Sequence, residues 1–167
     1  RLRPLGDAHT RLGRVEPALN DVPAGELRDT TTPRAMVHTV QKLVLGDALS
    51  GEARARLQGW LLGNLTGDKR LRAGMPAGWR IGEKTGTANG TSNDVGVVWP
   101  EGGAPAVVAC YLTQCPAAPA QRDQRAHLGA GVARAGRARV PAVVPRAAAG
   151  PGFRGSAARW MGRLPGR

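Results

Sequence analysis

The run Val107-Val108-Ala109-Cys110-Tyr111-Leu112 constrains the fold more than any other feature of the chain. It is too short for a typical helix and almost wholly apolar, as a strand covered on both faces would be. Such a strand needs neighbours in a sheet and elements packed above and below it. The residues before it supply the neighbours. Strand patterns fall over 79–86, 94–99 and 106–113. Asn89-Gly90 is a turn signal between the first two, and Pro100-Glu101-Gly102-Gly103 is one between the second and third. The expected unit is a three-stranded antiparallel meander.

Two helices are expected ahead of it. Thr32 can cap a helix whose first turn holds Pro33. Met36, Val37, Val40, Leu43 and Val44 then recur at helical spacing, with Gly46 near the stop. Ser50 opens a second helix with Glu52 in its first turn. Leu57, Trp60 and Leu61 are its expected apolar stripe. Residues 6–32 carry Gly6, Gly13, Pro17, Pro23 and Gly25 with little periodicity, so they read as a long ordered loop. Segregated helices and strands give an α/β chain.

The charge is distributed unevenly. The 167 residues carry 24 Lys and Arg against 12 Asp and Glu. Residues 1–115 are nearly balanced. Residues 116–167 hold ten arginines, no lysine and one acid, Asp123. Ala, Gly, Pro and Arg dominate this last third, which has little large apolar surface to offset its ordering entropy. The expected organisation is a folded part over 1–115, a weak helical remnant within 116–138 and a disordered basic tail over 139–167. A tail of this kind is the basis of an alternative reading, a non-enzymatic fragment that binds anionic polymers. Such binding would be sequence-blind and steeply salt-dependent. The tail's aromatics are only Phe153 and Trp160, which gives poor support for stacking on nucleic acid, so no nucleic-acid partner is expected. No apolar run reaches the ~18 residues of a spanning helix. The 167 residues contain no signal-peptide pattern. Cys110 and Cys115 are too few for a disulfide scaffold, and His9, His38 and His127 form no ligand spacing. No metal or cofactor is expected.

Two constellations carry chemistry. Lys84-Thr85-Gly86-Thr87 would offer a cation, hydroxyls and an approachable backbone to an anionic substrate lying along a strand edge. Composition alone favours a plain exposed strand end. Arg14-Val15-Glu16-Pro17-Ala18-Leu19-Asn20 lies in the long loop. Glu16 is a candidate general base, and Asn20 could hold a water beside it. Arg14 and Asp29 could pair and close the loop. A solvated charged loop is the bland alternative.

Together these segments, with Arg28-Asp29-Thr30-Thr31-Thr32-Pro33, Ala77-Gly78-Trp79 and Thr91-Ser92-Asn93-Asp94, closely resemble the class A serine β-lactamases, most of all their extended-spectrum branch. The resemblance runs from about Leu5 to Thr113. It implies the C-terminal part of the β-lactamase/transpeptidase-like fold: an Ω-shaped loop, helices and the meander. It implies that Glu16 activates the water that hydrolyses an acyl-enzyme, with Asn20 as the water's second partner, across a cis Glu16-Pro17 bond. It implies that Lys84, Thr85, Gly86 and Thr87 bind the β-lactam carboxylate, and that the Thr87 N–H serves the oxyanion hole. Arg122 would match a basic residue that helps hold the same carboxylate. The family implies a monomer working in the periplasm or outside the cell. A penicillin-binding transpeptidase shares Lys-Thr-Gly, but the Glu16–Asn20 loop argues against it.

The departures are specific. The family's nucleophile lies in Ser-x-x-Lys, followed by Ser-Asp-Asn, and neither occurs here. The serines are Ser50, Ser92 and Ser156, and none has Lys three positions on. The chain alone is therefore expected to be inactive. Without the elements the family places before the Ω loop, Val107–Leu112 is expected to have an open edge and an uncovered face. Gly13 stands where the family has Asp, and the Ala88-Asn89-Gly90 turn is short. The abrupt composition change after Gln114 is what a reading-frame shift in GC-rich DNA would give.

Overall fold

Thr32 and Pro33 start the first helix as their chemistry requires. In the computed structural model, which describes residues 2–21 and 23–124, α1 spans Pro33–Val40 and the Thr32 hydroxyl accepts from Ala35 N at 3.1 Å. The periodic residues beyond Val40 do not extend α1. They form a wider π turn, Gln41–Leu45, closed by Gly46 N donating to Gln41 O at 2.9 Å. That turn buries Val44. The second helix, α2, spans Gly51–Leu62, and Ser50 Oγ accepts from Ala53 N at 3.3 Å.

Three strands follow: β1 Arg80–Ala88, β2 Thr91–Trp99 and β3 Ala106–Leu112. They pair antiparallel in the order β1-β2-β3, as the turn signals implied. The first hairpin is longer than expected. Gly86, Thr87 and Ala88 pair with Asn93, Ser92 and Thr91, so polar residues that resemble turn material are strand. The tight Asn89-Gly90 turn allows this, with Gly90 at φ +66.

Side chains alternate across the sheet. Val97 and Val107 face Val44, with Val37, Val40, Leu57 and Leu61 around them. Ile81, Val98, Val108 and Cys110 face the other way, onto Leu71, Met75 and Trp79. Both faces of β3 are thus covered within the described residues, contrary to the uncovered face expected above. Its edge away from β2 has no strand partner among them. The expected stripe on α2 is also narrower. Leu57 and Leu61 pack on the core, whereas Trp60 is 69% exposed. Among the described residues, α2 packs mainly against β1 and the π turn. A helical turn is present over 119–124, where the remnant was expected. Residues 125–138 of that segment and the 139–167 tail lie outside the described residues.

The long loop is closed at its neck by a buried carboxylate. Asp7 accepts from His9 N (2.9 Å), Thr10 N (2.8 Å), Thr10 Oγ1 (2.5 Å) and, on α1, Thr39 Oγ1 (3.0 Å). Burial alone would raise its pKa, but these hydrogen bonds, led by Thr10, hold it well below the usual carboxylate range. The two loop limbs then meet through Thr10 and Thr31 hydroxyls at 2.7 Å and Arg11 N on Thr30 O at 2.9 Å. Higher up, Arg14 Nε donates to Asp29 Oδ2 at 2.6 Å. Asp29 Oδ1 accepts from Gly13 N at 2.6 Å and Arg14 N at 3.1 Å. Arg14 also reaches across to Asp21 O at 2.9 Å. One carboxylate therefore fixes both limbs, and Asp29 adopts φ 55 to do so.

Two outcomes follow from this packing. Leu71 is 0% exposed, so Leu71→Ala should cost about 2–5 kcal/mol by urea denaturation, while Trp60→Ala should stay within about 0.5 kcal/mol. Arg14 pulls the Asp29 carboxyl down from its ordinary 3.8 to about 2. Its contribution to loop order is present above 3.8 and should be lost as pH falls through about 2. Hydrogen exchange at the Gly13 and Arg14 amides should register that loss, and Asp29→Asn should bring it on at neutral pH.

Candidate active site

The stapled loop presents Glu16 and Asn20 to solvent. The Glu16-Pro17 bond is cis, and a short 3-10 turn over Ala18–Asn20 follows it. That turn brings Asn20 back over Glu16, where Asn20 Nδ2 donates to Glu16 Oε2. A carboxylate oxygen and an amide oxygen stay available for one water, which is the minimum for water activation. Leu12, Val15 and Leu27 on the same loop are also exposed.

The second group lies on β1. Among the described residues β1 has a strand neighbour only on the β2 side, so its outer edge offers unpaired backbone groups. Lys84 is exposed, and its ammonium donates to Thr85 O at 2.5 Å. Thr85 and Thr66 hydroxyls meet at 2.5 Å. Thr85 and Thr87 point to the Leu71 side of the sheet, and Lys84 points to the other.

An arginine that the sequence reading passed over organises this group. Arg70 is 5% exposed. Its NH2 donates to Thr87 Oγ1 at 2.7 Å, and its NH1 donates to Gly86 O at 3.1 Å and Asn93 O at 2.8 Å. Its Nε donates to Asp123 Oδ1 at 2.8 Å, and Ser92 Oγ reaches the same oxygen at 3.4 Å. Arg122 was expected in this place. Its NH1 donates instead to Ala117 O at 2.9 Å, and no hydrogen bond joins it to Lys84–Thr87 among the described residues. The cause is local. On the helical turn over 119–124 it is Asp123 that reaches Arg70 and Ser92 of β2. The only acid of the last third thus neutralises Arg70. That lone acid was the available signal, because an isolated carboxylate in an arginine-rich segment invites a specific partner.

The structure thus joins Glu16 to Asn20, and Gly86 and Thr87 to Arg70. No hydrogen bond or ion pair links the loop group to the β1 group among the described residues. No cluster of three His, Cys, Asp or Glu residues that could hold a metal occurs among them either.

Similarity to known proteins covers both groups. The model of the beta-lactamase enzyme family matches residues 1–135, beyond the Thr113 limit of the resemblance read from sequence. Beta-lactamase OXY-1 of Klebsiella oxytoca is 52% identical over 111 residues, which is 66% of this chain and 38% of that protein. Beta-lactamase FAR-1 of Nocardia farcinica is 55% identical over 65% of this chain and 35% of its own. Beta-lactamase Toho-1 of Escherichia coli is 49% identical over 74% and 41%. Among solved structures, an ancestral class A β-lactamase superposes with a TM-score of 0.75 at 52% identity, covering 80% of this chain and 52% of that one. The chain spans roughly four tenths of the curated relatives and half of the solved structure. With the loop, the strand edge and the meander all within the matched region, the chain belongs to the beta-lactamase enzyme family, and its described part carries a portion of the class A β-lactamase fold.

Proposed function

We propose that this chain supplies the deacylation and carboxylate-anchoring half of a β-lactam-hydrolysing serine enzyme of the periplasm or cell exterior. The serine nucleophile of that reaction comes from outside these 167 residues. The single observation that carries the reading is Asn20 bonded to Glu16 on a loop fixed by Arg14 and Asp29. A deacylating water needs a base and a second partner held in register, and a transpeptidase has no use for either.

In this reading the substrate carboxylate lies along the outer edge of β1. Lys84 supplies the charge, and Thr85 and Thr87 supply hydroxyls. Arg70 donates to the Thr87 hydroxyl oxygen and so leaves that hydroxyl's proton free for the substrate carboxylate; it takes the positioning part that the family resemblance gave to Arg122. The Thr87 N–H donates to the developing oxyanion. Glu16 accepts a proton from a water held against Asn20. That water's oxygen bonds to the acyl carbon, and the ester bond to the serine then breaks. The serine oxygen recovers a proton as it leaves. No helix among the described residues is long and apolar enough to cross a membrane. The working unit is a monomer.

The purified 167-residue chain should not turn over a chromogenic cephalosporin; hydrolysis abolished by Glu16→Gln would overturn the assignment of the nucleophile. In a protein that joins this chain to a segment bearing Ser-x-x-Lys, Glu16→Gln should slow deacylation by about 10²–10⁴-fold and let acyl-enzyme accumulate in the mass spectrum. Lys84→Ala should weaken substrate capture by roughly 10–100-fold and leave folding intact, because Lys84 is exposed.

A further inference from the structure

Glu83 and Asp94 are two carboxylates with no place in the reading above. Each is 0% exposed. Both project from the Leu71 face of the sheet, Glu83 from β1 opposite Gly96 and Asp94 from β2 opposite Thr85. That diagonal puts their side chains within reach of each other. Asp94 Oδ2 accepts from Leu71 N at 3.1 Å. Asp94 Oδ1 and both oxygens of Glu83 have no hydrogen-bond donor. Arg72 NH2 lies 3.0 Å from Glu83 Oε1 but is not aligned to donate. Its other nitrogen is taken by Asp68 at 2.9 Å. The Gly67 backbone lies over the pair so closely that a Cβ there would stand 1.8 Å from Glu83 Oε1.

Two buried negative charges with three orphaned oxygens would be costly. One proton removes most of that cost. We propose that Glu83 carries a proton which it donates to Asp94 Oδ1, and that this acid pair positions the backbone segment holding Arg70 against Thr87.

The connection to Arg70 is short. Asp94 accepts from Leu71 N, and Glu83 Oε1 lies 3.0 Å from the Arg72 guanidinium, so the pair sits against the two residues that follow Arg70. The groups facing the pair are Arg72 and Arg70 from the 68–74 segment and the Cys110 thiol from β3. Burial, then the Asp94 charge, push Glu83 up to about 8, with Arg72 opposing. Burial raises Asp94 as well, against the Leu71 N–H. Cys110 stays protonated throughout, since burial pushes it up to about 11.

The sign of the pH effect is fixed. The folded chain holds a proton that the unfolded chain releases near 4.5, so the stabilisation is complete below about 4.5. It declines as pH rises through about 8, by up to about tenfold in the folding constant per pH unit. The test is urea unfolding of the 167-residue chain from pH 5 to 9, with Glu83→Gln beside it. The Gln amide can donate to Asp94 as the protonated acid does, so the variant should fold and lose the decline. Glu83→Ala should not restore the donor. An unchanged decline in Glu83→Gln overturns the proposal. Infrared difference spectra of the unsubstituted chain give a readout that needs no variant. A protonated-carboxyl C=O band should persist at pH 7 and vanish above about 8, and its absence at pH 7 also overturns the proposal. The Arg70 Nε–H NMR signal should titrate with that band; a fixed signal overturns the positioning role. None of these readouts needs turnover, so failure here is distinguishable from failure of the β-lactam reading.

Discussion

The buried guanidinium of Arg70 ties together four parts of the chain at one point. It bonds to a carbonyl of β1, a carbonyl of β2, the Thr87 hydroxyl and the Asp123 carboxylate. The hairpin end that carries Thr87 lies close to its turn, where Cys115 N also donates to Gly90 O at 3.0 Å. Charged hydrogen bonds in a dry setting are stronger than neutral ones, but they require the partner acid. Removing Asp123 would leave a cation nearly without solvent, which costs more than the bond itself. The Leu71 cluster, the 68–74 segment and the 119–124 turn are thus mutually dependent.

The long loop uses the same device. Asp7 and Asp29 each accept several donors, and both are held below the ordinary carboxylate range. A loop rich in Gly and Pro has little apolar area to bury, so its order comes from carboxylates that accept backbone N–H groups. The result is a fixed frame around two exposed residues, Glu16 and Asn20. Rigidity in the frame and exposure at the tip suit a site whose partner is a water and a bound acyl group.

The elements legible in the sequence were those set by local chemistry. Thr32, Pro33 and Ser50 cap helices because a hydroxyl before a helical run satisfies an end N–H. Asn89-Gly90 makes its hairpin because Gly90 accepts a positive φ. Arg14 and Asp29 were legible as a pair because both lie in one loop. What escaped was set by distant partners. Arg70 sits in Asp68-Lys69-Arg70-Leu71-Arg72, which looks like a solvated charged stretch, and its partners lie 16 to 53 residues away. Glu83 was legible in principle, because period-two alternation from Ile81 puts it on the core face. Its partner Asp94 lies on another strand, so the pair is not visible in the spacing of either. Trp60 misled because helical spacing gives the direction of a side chain but not whether anything stands there to cover it.

The central claim is that water activation and carboxylate anchoring are built into this chain. The most direct measurement is an amide NMR titration of the 167-residue chain with a β-lactam. Saturable shifts are expected at Lys84, Thr85, Gly86 and Thr87, with smaller ones at Glu16 and Asn20. Shifts confined to other residues, or none at these positions up to saturating ligand, would contradict it.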